Sequence, residues 1–93
     1  MKTQQLKDFR RALLLVLDAA GERHGLTPEA LNHNIGRFGF RPTLEETARE
    51  LHYLSGKPLE LVEIVPSGGF SPEVKYWRLT TFGRNFVAEE ELE

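Results

Sequence analysis

Hydrophobic residues recur at helical spacing over residues 6–20. At about 100° per residue, one stripe of this segment collects most of its apolar side chains. The stripe consists of Leu6, Phe9, Leu13, Val16, Leu17 and Ala20. Arg11, Asp18 and Glu22 fall on the opposite side. The pattern predicts an amphipathic helix of about four turns that ends at Gly21, since glycine accepts the backbone conformation that closes a helix.

Two leucines of this helix do not fit the stripe. Leu15 lies among the polar positions and Leu14 lies well to one side of the apolar face. A single exposed leucine is common on protein surfaces, but two adjacent ones also suit packing against a second chain. We therefore predict that Leu14 and Leu15, together with a short C-terminal helix, form the interface of a homodimer.

Two further helices are indicated by their start signals. Thr27-Pro28-Glu29 combines a capping threonine, a proline at the first helical position and an acid at the positive helix end, and the helix then runs to Gly36. Phe38 and Phe40 follow and are predicted to enter the core. Thr43 and Glu46 have the spacing of a capping box.

The helix that follows this capping box is predicted to end at Ser55-Gly56. Its expected buried stripe is Leu44, Thr47, Ala48, Leu51 and Leu54. Its outward face then holds Glu45, Glu46, Arg49, Glu50, His52 and Tyr53.

The periodicity then changes from helical to extended. Residues 59–65 and 74–79 are rich in branched and aromatic side chains, and the Gly/Ser/Pro-rich stretch 66–72 between them reads as a hairpin tip. Trp77 is predicted to pack in the core. Thr80 or Thr81 can cap a short last helix before the acidic tail 89–93, which is predicted to be disordered. We thus expect one α+β domain over residues 1–88, with three helices, a two-stranded hairpin and a short C-terminal helix.

The segment at the end of the hairpin carries a resemblance. Tyr76-Trp77-Arg78-Leu79-Thr80-Thr81-Phe82-Gly83 resembles the Y-x-x-L-T-x-x-G passage of winged helix-turn-helix regulators of the MarR and PadR types. It is also similar to the ending of small phage and prophage winged-helix proteins. The order of predicted elements agrees with such a fold.

The resemblance implies a cytoplasmic DNA-binding protein, a small transcriptional regulator or a phage-type accessory factor. In such proteins the third helix lies in the major groove of double-stranded DNA, and the hairpin touches the backbone or the minor groove. On this reading Arg41, Thr43, Arg49, His52 and Tyr53 would meet the groove. Lys57 and Lys75 would meet the backbone, and Arg37 would belong to a basic rim beside the third helix.

The charge of the chain argues for a second interpretation. Three of the six residues on the outward face of the third helix are glutamates, whereas affinity for DNA comes mainly from Lys and Arg at the phosphates. The net charge is −2, and four of the fourteen acidic residues are Glu89, Glu90, Glu91 and Glu93. The alternative is therefore a winged-helix module that binds a protein and no nucleic acid.

Other classes of function are not indicated. The chain has no cysteine, and His24, His33 and His52 are too far apart in sequence to suggest a metal site. We predict no cofactor and no metal, and we see no catalytic pattern that would make the protein an enzyme. The longest apolar run, residues 12–17, is far too short to cross a bilayer. The lack of cysteine favours a reducing, cytoplasmic setting.

Overall fold

The structure, a computed structural model, describes residues 3–20, 25–65 and 75–89. This part of the chain forms an α+β fold in the predicted order, with four α-helices and one two-stranded antiparallel sheet. The elements are α1 (Thr3–Ala20), α2 (Pro28–Ile35), a 3-10 turn (Gly36–Phe38), α3 (Leu44–Ser55), β1 (Val62–Ile64), β2 (Trp77–Leu79) and α4 (Thr81–Glu89). The predicted hairpin tip and most of the acidic tail lie outside the described residues.

The predicted start signals determine where α2 and α3 begin. The Thr27 hydroxyl oxygen accepts a hydrogen bond from the Ala30 N–H at 3.2 Å, and Pro28 is the first residue of α2. The capping box of α3 is complete, since Thr43 Oγ1 accepts from the Glu46 N–H at 3.1 Å and Glu46 Oε1 accepts from the Thr43 N–H at 2.9 Å. These side chains satisfy amide groups that the first helical turn leaves without partners.

Of the two threonines that could cap the start of α4, Thr80 does so, because its Oγ1 accepts a hydrogen bond from the Gly83 N–H at 2.9 Å. The Thr80 hydroxyl also donates to the Glu60 carbonyl oxygen at 2.6 Å, which ties α4 to the segment that leads into β1.

Strand β2 has partners on both sides. It pairs with β1 in the register Val62↔Leu79, Glu63↔Arg78 and Ile64↔Trp77. On its other side, the N–H and carbonyl of Trp77 bond to the carbonyl and N–H of Leu26, each at 2.8 Å. The segment between α1 and α2 is thereby joined to the sheet.

The hydrophobic core lies where all these elements meet. Trp77 is 3% exposed, as its predicted place in the core requires. The other buried hydrophobic residues are Phe9, Ala12, Leu13, Leu14, Leu17, Leu31, Ile35, Leu51, Leu54, Leu61, Val62, Leu79 and Val87.

The prediction that Leu14 lies exposed at a dimer interface is wrong. Leu14 is 2% exposed and belongs to the core. The single-stripe reading failed because α1 packs against α2, β2 and α4, so its buried surface is wider than one face. Leu15 is half-buried and packs against the edge of the core, so its predicted role in an interface stays open.

Two other apolar residues are more exposed than the sequence predicted. Phe38, on the 3-10 turn, is 48% exposed, and Leu44, at the start of α3, is 47% exposed. Phe40 does pack inward, with its ring centroid 5.5 Å from that of Phe9. Of the two predicted aromatic anchors in this loop, only Phe40 reaches the core.

Gly83 allows α4 to approach the start of β1 very closely. A Cβ atom at this position would lie 2.0 Å from the Leu61 carbonyl oxygen, a backbone atom that cannot move aside alone. The glycine of the T-x-x-G passage is therefore required by packing.

We predict that Gly83→Ala lowers the free energy of unfolding by more than about 2 kcal/mol, because the added methyl must push α4 away from Leu61. Helix propensity alone would predict a gain of about 1 kcal/mol, so the sign is diagnostic. Chemical denaturation measures it, and Asn85→Ala, at an exposed position of the same helix, is the control. A stabilised Gly83→Ala variant would contradict the close approach.

Candidate nucleic-acid interface

Glu50 does not lie on the outward face of α3, where the sequence placed it. It is 9% exposed, and its Oε2 accepts a hydrogen bond from Arg10 Nε at 2.6 Å. The two side chains are only 11% and 26% exposed, so water screens the pair weakly. The reason for the error is that α1 supplies a cation to this side of α3.

Arg10 makes a second contact with α3. Its guanidinium carbon lies 4.0 Å from the centre of the Tyr53 ring, which is cation–π geometry. Tyr53 itself is 51% exposed, as predicted. Arg10 of α1 thus neutralises Glu50 of α3 and also packs against the ring of Tyr53.

Glu46 points back to the start of its own helix. The pKa of its carboxyl is lowered from the ordinary value of 4.5, first by the hydrogen bond from the Thr43 backbone N–H and then by the Thr43 side chain. The carboxylate therefore complements the positive end of α3.

Glu45 is the glutamate of this helix that remains fully outward. It lies one turn before Arg49, and the Glu45 Oε1 to Arg49 Nη2 distance is 3.5 Å. Both side chains are well exposed, at 84% and 69%, so the pair is weak and open to exchange. The outward face of α3 consists of Glu45, Arg49, His52 and Tyr53.

His52 connects this face to the hairpin. Its ring meets the Trp77 ring edge to face, with centroids 5.5 Å apart. His52 and Lys75 line one groove of about 320 Å³ between α3, the start of α2 and β2. The other residues of this groove are Thr27, Pro28, Glu29, Ala48 and Trp77.

The remaining predicted contacts are dispersed. Lys57 lies exposed just after α3, and Thr43 is exposed but uses its hydroxyl oxygen as the helix cap. Arg41 is exposed and donates to the Phe40 carbonyl oxygen at 3.3 Å. Arg37 lines a different groove together with Leu15 and Phe38, so the structure brings it to α1 rather than to the outward face of α3.

A buried polar contact that the sequence did not reveal sets α2 against α3. The hydroxyl of Thr47, which is fully buried, donates to Asn32 Oδ1, and Asn32 Nδ2 donates to the Pro42 carbonyl oxygen at 3.0 Å. One threonine within the apolar stripe of α3 was the visible signal. Its partner lies fifteen positions away, which sequence spacing cannot show.

Comparison with known proteins finds no matching family model, no similar curated protein and no similar solved structure. Within the described ranges, no three histidine or acidic side chains are grouped so that they could hold a metal ion. No helix in the same ranges has the length and apolar character needed to span a bilayer.

We predict that Arg10→Met lowers the free energy of unfolding by about 1–3 kcal/mol, because it leaves the Glu50 carboxylate largely buried without its cation. Glu50→Gln in the same background should recover part of that loss. A double-mutant cycle by urea denaturation measures the coupling, and a coupling free energy near zero would show that the pair does not stabilise the fold.

We predict that the capping box makes α3 sensitive to acid. Since the folded-state pKa of Glu46 is lowered, its stabilising effect is present above the ordinary value of 4.5 and is lost as the pH falls through the folded-state value. Glu46→Gln should therefore lose less stability than the wild type between neutral pH and about pH 3. Parallel losses in urea denaturation of the two proteins would contradict this role.

Proposed function

We propose that this protein is a winged-helix domain that binds duplex DNA, as a small transcriptional regulator or a phage-type accessory factor. The proposal places α3 in the major groove and the hairpin beside the backbone. The observation that carries it is the Arg10–Glu50 ion pair, because this pair removes the main objection that the sequence raised.

That objection was the acidic surface of α3. Glu50 is buried against Arg10, and Glu46 is turned to the helix start. The outward face then holds one acid, Glu45, and one base, Arg49, which already pair with each other. A face without excess negative charge is compatible with approach to phosphates.

The side chains on this face have chemistry suited to base edges and phosphates. Arg49 can donate two parallel hydrogen bonds to guanine, and His52 can hydrogen-bond to a base edge or a phosphate oxygen. Tyr53 is exposed at 51% and held by Arg10, so a rigid aromatic group stands beside the face. Lys75, in the same groove as His52, supplies a cation at the hairpin side.

The number of cations sets the expected strength of binding. Arg41, Arg49, Lys57 and Lys75 are exposed in and around α3 and the hairpin. Few phosphate contacts mean modest affinity at physiological salt. For that reason the proposal is best tested at low ionic strength.

We predict that the wild-type protein binds mixed duplex DNA at about 50 mM salt and that binding is about 40-fold weaker at 200 mM, as about three phosphate contacts require. Fluorescence anisotropy measures both. Arg49→Ala should weaken binding by about tenfold at low salt through the lost base or phosphate contact. The control is Lys7→Ala, at an exposed position near the start of α1, which should bind as the wild type does.

A matched variant acts in the opposite direction. Glu45→Gln removes the carboxylate that competes for Arg49, so its affinity for mixed duplex DNA should rise severalfold. Absence of wild-type binding at low salt, or equal affinities for the wild type and Arg49→Ala, would overturn the proposal.

The exposed apolar side chains of α3 favour a second candidate function, a protein-interaction module. Leu44 and Tyr53, near the two ends of the helix, are 47% and 51% exposed, and tyrosine often anchors protein interfaces. On this alternative the protein fails to bind DNA at any salt concentration. A protein partner would be retained by the wild type and lost by Tyr53→Ala.

A further inference from the structure

Glu45 and Arg49 place a hydrogen-bond acceptor and a donor side by side on the outward face of α3. The distance from Glu45 Oε1 to Arg49 Nη2 is 3.5 Å, and both side chains are well exposed. A ligand that approaches this face therefore reaches both charged groups. Glu45 lies in the first turn of α3, where the capping box fixes the backbone.

The other carboxylates near Arg49 are engaged elsewhere. Glu46 and Glu50 line one groove with Arg49. Glu46 bonds back to the start of its own helix, and Glu50 is paired with Arg10. Glu45 is therefore the acid that pairs with Arg49. A ligand at this face meets one carboxylate and one guanidinium as a unit.

This unit is poorly matched to a phosphate group. A phosphate oxygen accepts hydrogen bonds from Arg49, but its charge repels the Glu45 carboxylate, which then loses its own partner. Like charges brought together at an interface, and charges left there without a partner, reduce affinity. A ligand that replaces both halves of the ion pair must present a donor to Glu45 and acceptors to Arg49.

Cytosine and guanine present these groups in the major groove of duplex DNA. Cytosine presents the N4 amino group, which is a donor, and guanine presents N7 and O6, which are both acceptors. Adenine carries a donor beside an acceptor, and thymine carries an acceptor and a methyl group, so each of them offers less to this pair. Neighbouring bases on one strand are about 3.4 Å apart, close to the 3.5 Å between the Glu45 and Arg49 atoms.

We propose that Glu45 and Arg49 together recognise a cytosine next to a guanine on one DNA strand. Glu45 accepts from cytosine N4, and Arg49 donates to guanine N7 and O6. This recognition rests on the proposed binding of duplex DNA by α3 and adds to it the base sequence at the point of contact. Glu45 makes the binding selective, because at any other site its charge faces phosphates or base acceptors without a partner.

Fluorescence anisotropy at about 50 mM salt tests this recognition with four duplexes of one length. They share flanks of A·T pairs and carry CG, GC, GG or AT as the two central bases of one strand. The wild type should bind one of the CG and GC duplexes, whichever matches the direction of α3 along the strand, about tenfold more tightly than the AT duplex. The GG duplex is the control for composition. It should bind severalfold more weakly than the preferred duplex, because its cytosines lie on the other strand and it satisfies Arg49 alone.

Two variants separate the roles of the two side chains. Arg49→Lys keeps the positive charge but loses the paired donors of the guanidinium, so the preference for the CG or GC duplex over the AT duplex should disappear while the salt dependence stays that of the wild type. Glu45→Ala should bind the AT duplex severalfold more tightly than the wild type does, and it should bind the GG duplex as tightly as the preferred one. Lys7→Ala, exposed on α1, should keep the wild-type preferences.

The outcomes distinguish this recognition from the binding on which it rests. A wild type that binds all four duplexes with equal affinity would overturn the recognition of cytosine and guanine and leave the proposed function standing. Failure to bind any of the duplexes would overturn the proposed function itself. A Glu45→Ala variant that still prefers the CG or GC duplex over the GG duplex would show that Glu45 does not contact cytosine, and would overturn the joint recognition.

Discussion

Trp77 joins the N-terminal helices to the hairpin through both its backbone and its ring. Its N–H and carbonyl pair with Leu26, its neighbours in β2 pair with β1, and its side chain is almost fully buried. Because the segment around Leu26 connects α1 to α2, these bonds fix where both helices sit relative to the sheet. The space behind Gly25 is closed by the same contact, since a Cβ atom there would lie 2.6 Å from the Trp77 carbonyl oxygen. The position of α3 against the hairpin follows, with His52 resting on the tryptophan ring.

Ion pairs determine which charged side chains are exposed on the surface of this fold. Arg10 reaches from α1 to α3, Arg49 stays within α3, and Arg78 joins Glu63 across the sheet at 3.0 Å. These three pairs differ in exposure and therefore in consequence. The Arg10–Glu50 pair is shielded from water, and it turns Glu50 away from the outward face of α3. The Glu45–Arg49 pair is well exposed, so a ligand that binds Arg49 more strongly can displace Glu45. With the same amino-acid composition, α3 could have had an acidic outward face. The position of Arg10 beside Glu50 prevents this.

Local signals in the sequence were sufficient to predict the helix boundaries, but they were insufficient to predict which side chains of those helices are exposed. Thr27, Thr43 and Gly56 act within a few residues of themselves, so the helix boundaries they mark could be predicted. Arg49, His52 and Tyr53 were correctly expected to face outward, because the spacing of α3 alone determines that. Glu50 could not be predicted, since its partner is forty positions away. The prediction that Leu14 is exposed was wrong for a related reason, because a helix packed on several sides has no single buried stripe. The assignment to winged-helix regulators stays a prediction that rests on one short motif and the order of elements.

Leu61 joins the end of α3 to the start of α4. Its N–H bonds to the Leu54 carbonyl oxygen at 2.8 Å, and its own carbonyl oxygen accepts from the Thr80 N–H at 3.0 Å while Gly83 lies against it. The preceding residue, Glu60, has a left-handed backbone conformation with φ 45°, so the chain turns sharply just before Leu61. Two backbone hydrogen bonds of one residue thus connect the start of α4 directly to the last turn of α3, the helix that carries Arg49 and Tyr53.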